Sequence, residues 1–152
     1  DLPAGLEYLN LSRCDNFNKS INKLPDKLTY LKLNDNFNQL VNKLPIGLTS
    51  LHLGKNFNQP IDNLPTGLTS LHLGKNFNQP VDLRYLTNLL DLKFGYKFNQ
   101  PVDNLPTSLT SLHFGADFDQ WGDLHYLTNL HNLDFGFKEP PAGLLFLKEL
   151  KK

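Results

Sequence analysis

The sequence predicts a mainly β fold in which short parallel strands, one per turn, stack into a solenoid with little helix. Three observations carry that reading. An apolar frame L-x-x-L-x-[LF] recurs about every twenty residues, and periods of that length mark solenoids. A Phe-Asn pair follows each frame in phase. Prolines then interrupt almost every unit, and so closely spaced they leave little room for helix.

The frame occurs at Leu6-Leu9-Leu11, Leu28-Leu31-Leu33, Leu48-Leu51-Leu53 and Leu68-Leu71-Leu73, then at Leu89-Leu92-Phe94, Leu109-Leu112-Phe114 and Leu130-Leu133-Phe135. Within L-x-L the period is two, which places the leucines on one face of a strand and the intervening residue on the other. The second element is Phe17-Asn18, Phe37-Asn38, Phe57-Asn58, Phe77-Asn78 and Phe98-Asn99, with Phe118-Asp119 as a variant. Stacked units put Leu on Leu and Phe on Phe, and a buried Asn amide is expected to bond the backbone of the corner and of the next turn, as an asparagine ladder. Gly54, Gly74, Gly95, Gly115 and Gly136 close the strands and read as turn glycines. Pro25, Pro45, Pro65 and Pro106 follow a leucine, and Pro60, Pro80 and Pro101 follow a glutamine. They give extended returns. The units at Tyr85 and Tyr126 lack the Leu-Pro corner and are expected to make a short 3₁₀ turn instead. About 7–8 turns of roughly 20–22 residues fill the chain as one domain, 1–152. Repeats run over 2–137, and 138–152 form a cap or edge unit, strand or helix.

The phrase L-P-x-x-L-T-x-L-x-[LF]-G-x-x-F-N-Q-P resembles the FNIP repeat, a leucine-rich-repeat-like unit. That resemblance implies a right-handed solenoid with a concave strand face, and a binding role without catalysis. Cys14 falls where leucine-rich repeats place a corner-bonding Asn or Cys, and Asn36, Asn56 and Asn76 share its offset. Two extra residues between Leu11 and Phe17 predict a widened first corner.

Composition narrows the function. Lys+Arg and Asp+Glu balance at 15 each, which argues against a phosphate-tracking nucleic-acid binder. No apolar run is long enough to span a bilayer as a helix and no signal peptide is evident, so no membrane partner is expected. Cys14 is the only cysteine. No internal disulfide forms, and a reducing, cytoplasmic compartment is expected. Asp1 opens inside a repeat, which reads as a piece or processed product of a longer chain.

No motif supplies a catalytic centre. His52 and His72 would sit one strand apart, but two imidazoles make a poor zinc site without further ligands. The spacing from Gly67 to Gly74 fails as a phosphate loop, and Asp15 to Asn18 lacks the glycine and closing glutamate of a calcium loop. No catalytic residue, metal or cofactor is therefore assigned.

The outward positions vary on a constant frame, and that is where specificity can reside. The candidate partner-binding residues on the concave face are Tyr8, Tyr30, Lys32, His52, Lys55, His72, Lys75, Lys93, Tyr96, His113 and Phe137. Aromatic anchors beside positive groups suit a protein partner with an acidic stretch. An ordinary solvated face is the competing reading. Trp121 is a separate candidate anchor. A rival function is a structural or self-assembling surface protein, in which the Thr-Ser rows (Thr49-Ser50, Thr69-Ser70, Thr110-Ser111) order water or carbohydrate.

Overall fold

A computed structural model describes residues 2–120 and 122–136. Seven three-residue strands follow one another: β1 (Tyr8–Asn10), β2 (Tyr30–Lys32), β3 (Ser50–His52), β4 (Ser70–His72), β5 (Asp91–Lys93), β6 (Ser111–His113) and β7 (Asn132–Asp134). Each pairs in parallel with the next, so the sheet order is the chain order. The register aligns Leu31 with Leu51, Leu51 with Leu71 and Leu71 with Leu92. Every strand thus turns its central leucine inward and its two flanking residues outward. The chain is a β-solenoid of parallel turns, and no helix is found among the described residues.

Each turn leaves its strand through a corner in which the Phe amide bonds back three residues, as from Phe57 N to Gly54 O (3.2 Å). It re-enters through a second corner that begins at proline, as from Leu48 N to Pro45 O (3.1 Å). Leu28, Leu48, Leu68, Leu89 and Leu109 are fully buried, as are Phe37, Phe57 and Phe77. These rings stack nearly parallel from turn to turn, 6.2 to 6.3 Å apart. From the fifth unit a second aromatic column begins, where Phe94, Phe114 and Phe135 replace the last leucine of the frame.

The glycines do a different job from the expected one. Among Gly54, Gly74, Gly95, Gly115 and Gly136, only Gly136 has a positive φ (60°). The others are required by close approach of successive turns: a β-carbon on Gly74 would fall 1.8 Å from the carbonyl oxygen of Gly54.

Asparagine forms the expected ladder between turns, but at the rim and not buried. The Phe-Asn asparagines are exposed or half-buried, and they tie one turn to the next. Asn18 Oδ1 accepts from Asn38 N (2.9 Å) and Gln39 Nε2 (3.2 Å), and the pattern repeats through Asn38, Asn58 and Asn78. The core space is taken by Phe, which leaves the amide at the rim. A second ladder runs from Asn76 Nδ2 to Asn56 Oδ1 and from Asn56 Nδ2 to Asn36 Oδ1. Cys14 is exposed. Its backbone, and not its thiol, serves the corner: Cys14 N donates to Leu11 O, while Cys14 O accepts from Phe17 N and from the Asn34 amide. The widened first corner is two successive turns, as the two extra residues predict.

The units at Tyr85 and Tyr126 make separate turns, Leu86 N to Leu83 O and Leu89 N to Leu86 O, and no 3₁₀ helix forms. The tyrosine hydroxyl replaces the Leu-Pro corner. Tyr85 Oη accepts from Leu64 N (3.0 Å) and donates to Ile61 O, and Tyr126 does the same for Leu105 N and Val102 O.

On the strand side, turns bond backbone to backbone at the ~4.8 Å spacing of a sheet. Backbone bonds also join successive turns at the corner before Phe-Asn, as from Asn56 N to Asp35 O (2.9 Å), and on the return Asn88 Nδ2 reaches Thr66 O (3.1 Å).

Candidate functional site

The outward residues form two columns on the strand face. The first runs through Tyr8, Tyr30, Ser50, Ser70, Asp91, Ser111 and Asn132; the second runs through Asn10, Lys32, His52, His72, Lys93, His113 and Asp134. Just past the second column, the residue after each corner adds Asp35, Lys55, Lys75, Tyr96 and Ala116.

Rings occupy the N-terminal half. Tyr8 and Tyr30 stack at 4.3 Å and 9°, Tyr30 meets His52 at 5.3 Å, and His52 meets His72 edge-on at 4.3 Å. Tyr30 and its stacked neighbour hold the Tyr30 hydroxyl above its ordinary pKa, mainly through burial. Burial, helped by His72 and Lys32, pushes His52 down to about 4, so His52 is neutral near pH 7.

Farther along, carboxylates pair with histidines. His72 Nε2 donates to Asp91 Oδ2 (2.6 Å), which also accepts from Ser70 Oγ (3.3 Å). His113 Nδ1 bonds Asp134 Oδ2 at 2.8 Å. Ser50 Oγ lies 3.2 Å from His52 Nε2. A nucleophilic triad needs one histidine between serine and carboxylate. Here the serine contact belongs to His52 and the carboxylate contact to His72. Among the described residues no group of three His, Cys, Asp or Glu is placed to hold a metal ion.

The lysines are distributed differently. Ion pairs among the described residues join His72 to Asp91, Arg84 to Asp82, His113 to Asp134 and His125 to Asp123, and none involves a lysine. Asp35 meanwhile accepts from the backbone N–H of Lys55 (3.2 Å). Lys75 Nζ lies 5.3 Å from the centre of the Tyr96 ring.

Two grooves gather the candidate residues. One of 440 Å³ brings together Lys32, His52, Lys55, His72 and Lys75 with Asp35. The other, of 610 Å³, brings together Lys75, Lys93, Tyr96 and His113 over a floor of Leu73, Phe94, Gly95, Gly115 and Ala116. Tyr8 and Tyr30 lie outside both; Phe137 and Trp121 lie outside the described residues. Asp35, Asp91, Ala116 and Asp134 are site residues absent from the sequence-predicted set. Asp91 follows Ser50 and Ser70 in its column and Ala116 follows Lys55, Lys75 and Tyr96 in its own, and those departures were the available signal. The Thr row is already engaged: the hydroxyls of Thr49, Thr69 and Thr110 each donate to a carbonyl of the preceding turn (3.1 Å).

Among the described residues no helix is long and apolar enough to cross a membrane. No curated protein matches the chain. A solved structure described as CroV588, "a novel circular LRR protein structure", is similar at 40% identity and a TM-score of 0.78 over 89% of this chain. This chain spans 21% of the length of that protein. The FNIP Repeat family model matches residues 40–64 and 87–117. The chain therefore carries FNIP repeats over these two stretches and is folded as a leucine-rich-repeat-like solenoid.

Proposed function

We propose that the chain is a non-enzymatic protein-interaction module whose partner lies on the concave strand face and presents an acidic stretch. The observation that carries this reading is the division of charge on that face. Its carboxylates Asp35, Asp91 and Asp134 are occupied by backbone or histidine donors, whereas Lys32, Lys55, Lys75 and Lys93 have no ion-pair partner among the described residues. Unpaired lysines on a rigid sheet supply attraction and orientation to an acidic surface. The single cysteine supports placing this interaction in a reducing compartment. A lattice that orders water or carbohydrate through the Thr row has less support, because those hydroxyls already serve neighbouring turns.

Retention of partners on immobilised wild type is to be compared with His72→Glu, Lys93→Glu and Tyr96→Ala. The reading expects at least one of the three to lose the partner. Unchanged retention by all three rejects it.

A further inference from the structure

The proposal concerns the larger groove and rests on the concave-face reading above. In the column after each corner, Lys55, Lys75 and Tyr96 are long, and the next residue is Ala116. The groove lies beside that missing side chain. Its floor is apolar, with Leu73 and Phe94 almost wholly buried beneath it and Gly95 and Gly115 bare of side chains. Neither glycine accepts a β-carbon, since one would fall 2.0 Å and 2.1 Å respectively from the carbonyl oxygen of the preceding turn, so the floor stays open. Tyr96 forms one wall, with Lys75 over its ring. Lys93 and His113 stand at the strand edge, where Asp134 is already held by His113.

An apolar floor with an aromatic wall and two lysines that have no ion pair among the described residues has a specific complement. We propose that this groove is an anchor pocket for one large apolar side chain, aromatic in size, on a protein segment that carries carboxylates on either side of it. The side chain sits over Gly95 and Gly115 beside Ala116 and packs against Tyr96. The flanking carboxylates meet Lys75 and Lys93. The smaller groove also has Leu33, Leu53, Gly54 and Gly74 beneath it but no aromatic floor or wall, so it attracts but does not anchor.

Ala116→Lys is the discriminating variant. It restores the residue that this column carries at positions 55 and 75, which the fold accommodates there, and it adds positive charge while filling the pocket. A library of random linear peptides is displayed and selected on the immobilised wild-type chain. Enriched peptides are then titrated against wild type, Ala116→Lys, Lys75→Glu and Lys32→Glu, with circular dichroism confirming that each variant is folded. The expected consensus is a large apolar residue flanked by Asp or Glu, bound at least about tenfold more weakly by Ala116→Lys and by Lys75→Glu. Selected peptides without that pattern, or no enrichment, overturn the proposal. Equal binding to Ala116→Lys also overturns it. If such peptides are lost on Lys32→Glu, the concave-face reading survives without the pocket; if they ignore all three variants, both fall.

Discussion

A β-carbon on Gly54 would lie 1.8 Å from the carbonyl oxygen of Asn34, one turn earlier, and that contact explains two residues at once. Gly54 has no side chain because the preceding turn presses against it. Asn34 is allowed one because the turn before it is the widened corner at Cys14, whose carbonyl accepts from the Asn34 amide. Gly74→Ala is therefore expected to destabilise the chain by about 3 kcal/mol or more, since backbone must move. Gly5→Ala, with nothing within 4 Å of the added carbon, is expected to change stability by less than about 0.5 kcal/mol. Urea denaturation of the two variants checks both.

The phenylalanine column makes a second prediction. Phe77 is fully buried and stacks on Phe57 and Phe98 at 6.2 and 6.0 Å. Phe77→Ala should cost about 3–5 kcal/mol, because neighbouring turns cannot close around the cavity without breaking the sheet register. Ile46→Ser, at 85% exposure, should leave the urea midpoint within error.

Tyr85 offers a test of a single hydroxyl. Tyr85→Phe keeps the ring but leaves the amide of Leu64 and the carbonyl of Ile61 without their partner. A loss of about 1–2 kcal/mol is expected. The same change at Tyr8, which is 57% exposed, should be close to neutral by the same measurement.

Legibility followed burial. The Leu and Phe columns recur in the sequence because each turn must present the same apolar surface to its neighbours, so the strands, their order and their spacing of 20 to 22 residues were readable directly. The role of Gly74 and the rim placement of Asn58 were not. Both depend on how closely turns approach at each corner, a distance that a one-dimensional pattern does not contain. The pairing of His72 with Asp91 was hidden for a related reason: the two residues stand 19 apart and meet diagonally across the register. At Cys14 the resemblance to leucine-rich repeats pointed to the side chain, whereas the widened corner turns it to solvent and uses its backbone.

His52 carries the pH prediction. Its pKa falls from 6.5 to about 4 on folding, so between those values the unfolded chain binds the extra proton. Stability is then full above about pH 6.5 and declines as the pH drops toward 4. Because the ring is only partly buried, the His52 contribution to that decline should be on the order of 1 kcal/mol. His52→Gln should flatten this part of the profile, read from urea midpoints across the window. A profile as steep as that of the wild type would show that His52 is not the group responsible.

The central claim is that binding resides on the concave strand face and is driven by its unpaired lysines. The direct measurement is titration of a captured partner against two charge reversals of the folded chain. One carries Lys32→Glu, Lys75→Glu and Lys93→Glu on the strand face; the other carries Lys23→Glu and Lys43→Glu on the exposed returns. The account predicts at least about a hundredfold loss of affinity for the first and less than about threefold for the second. Equal losses, or a larger loss from the returns, would contradict it.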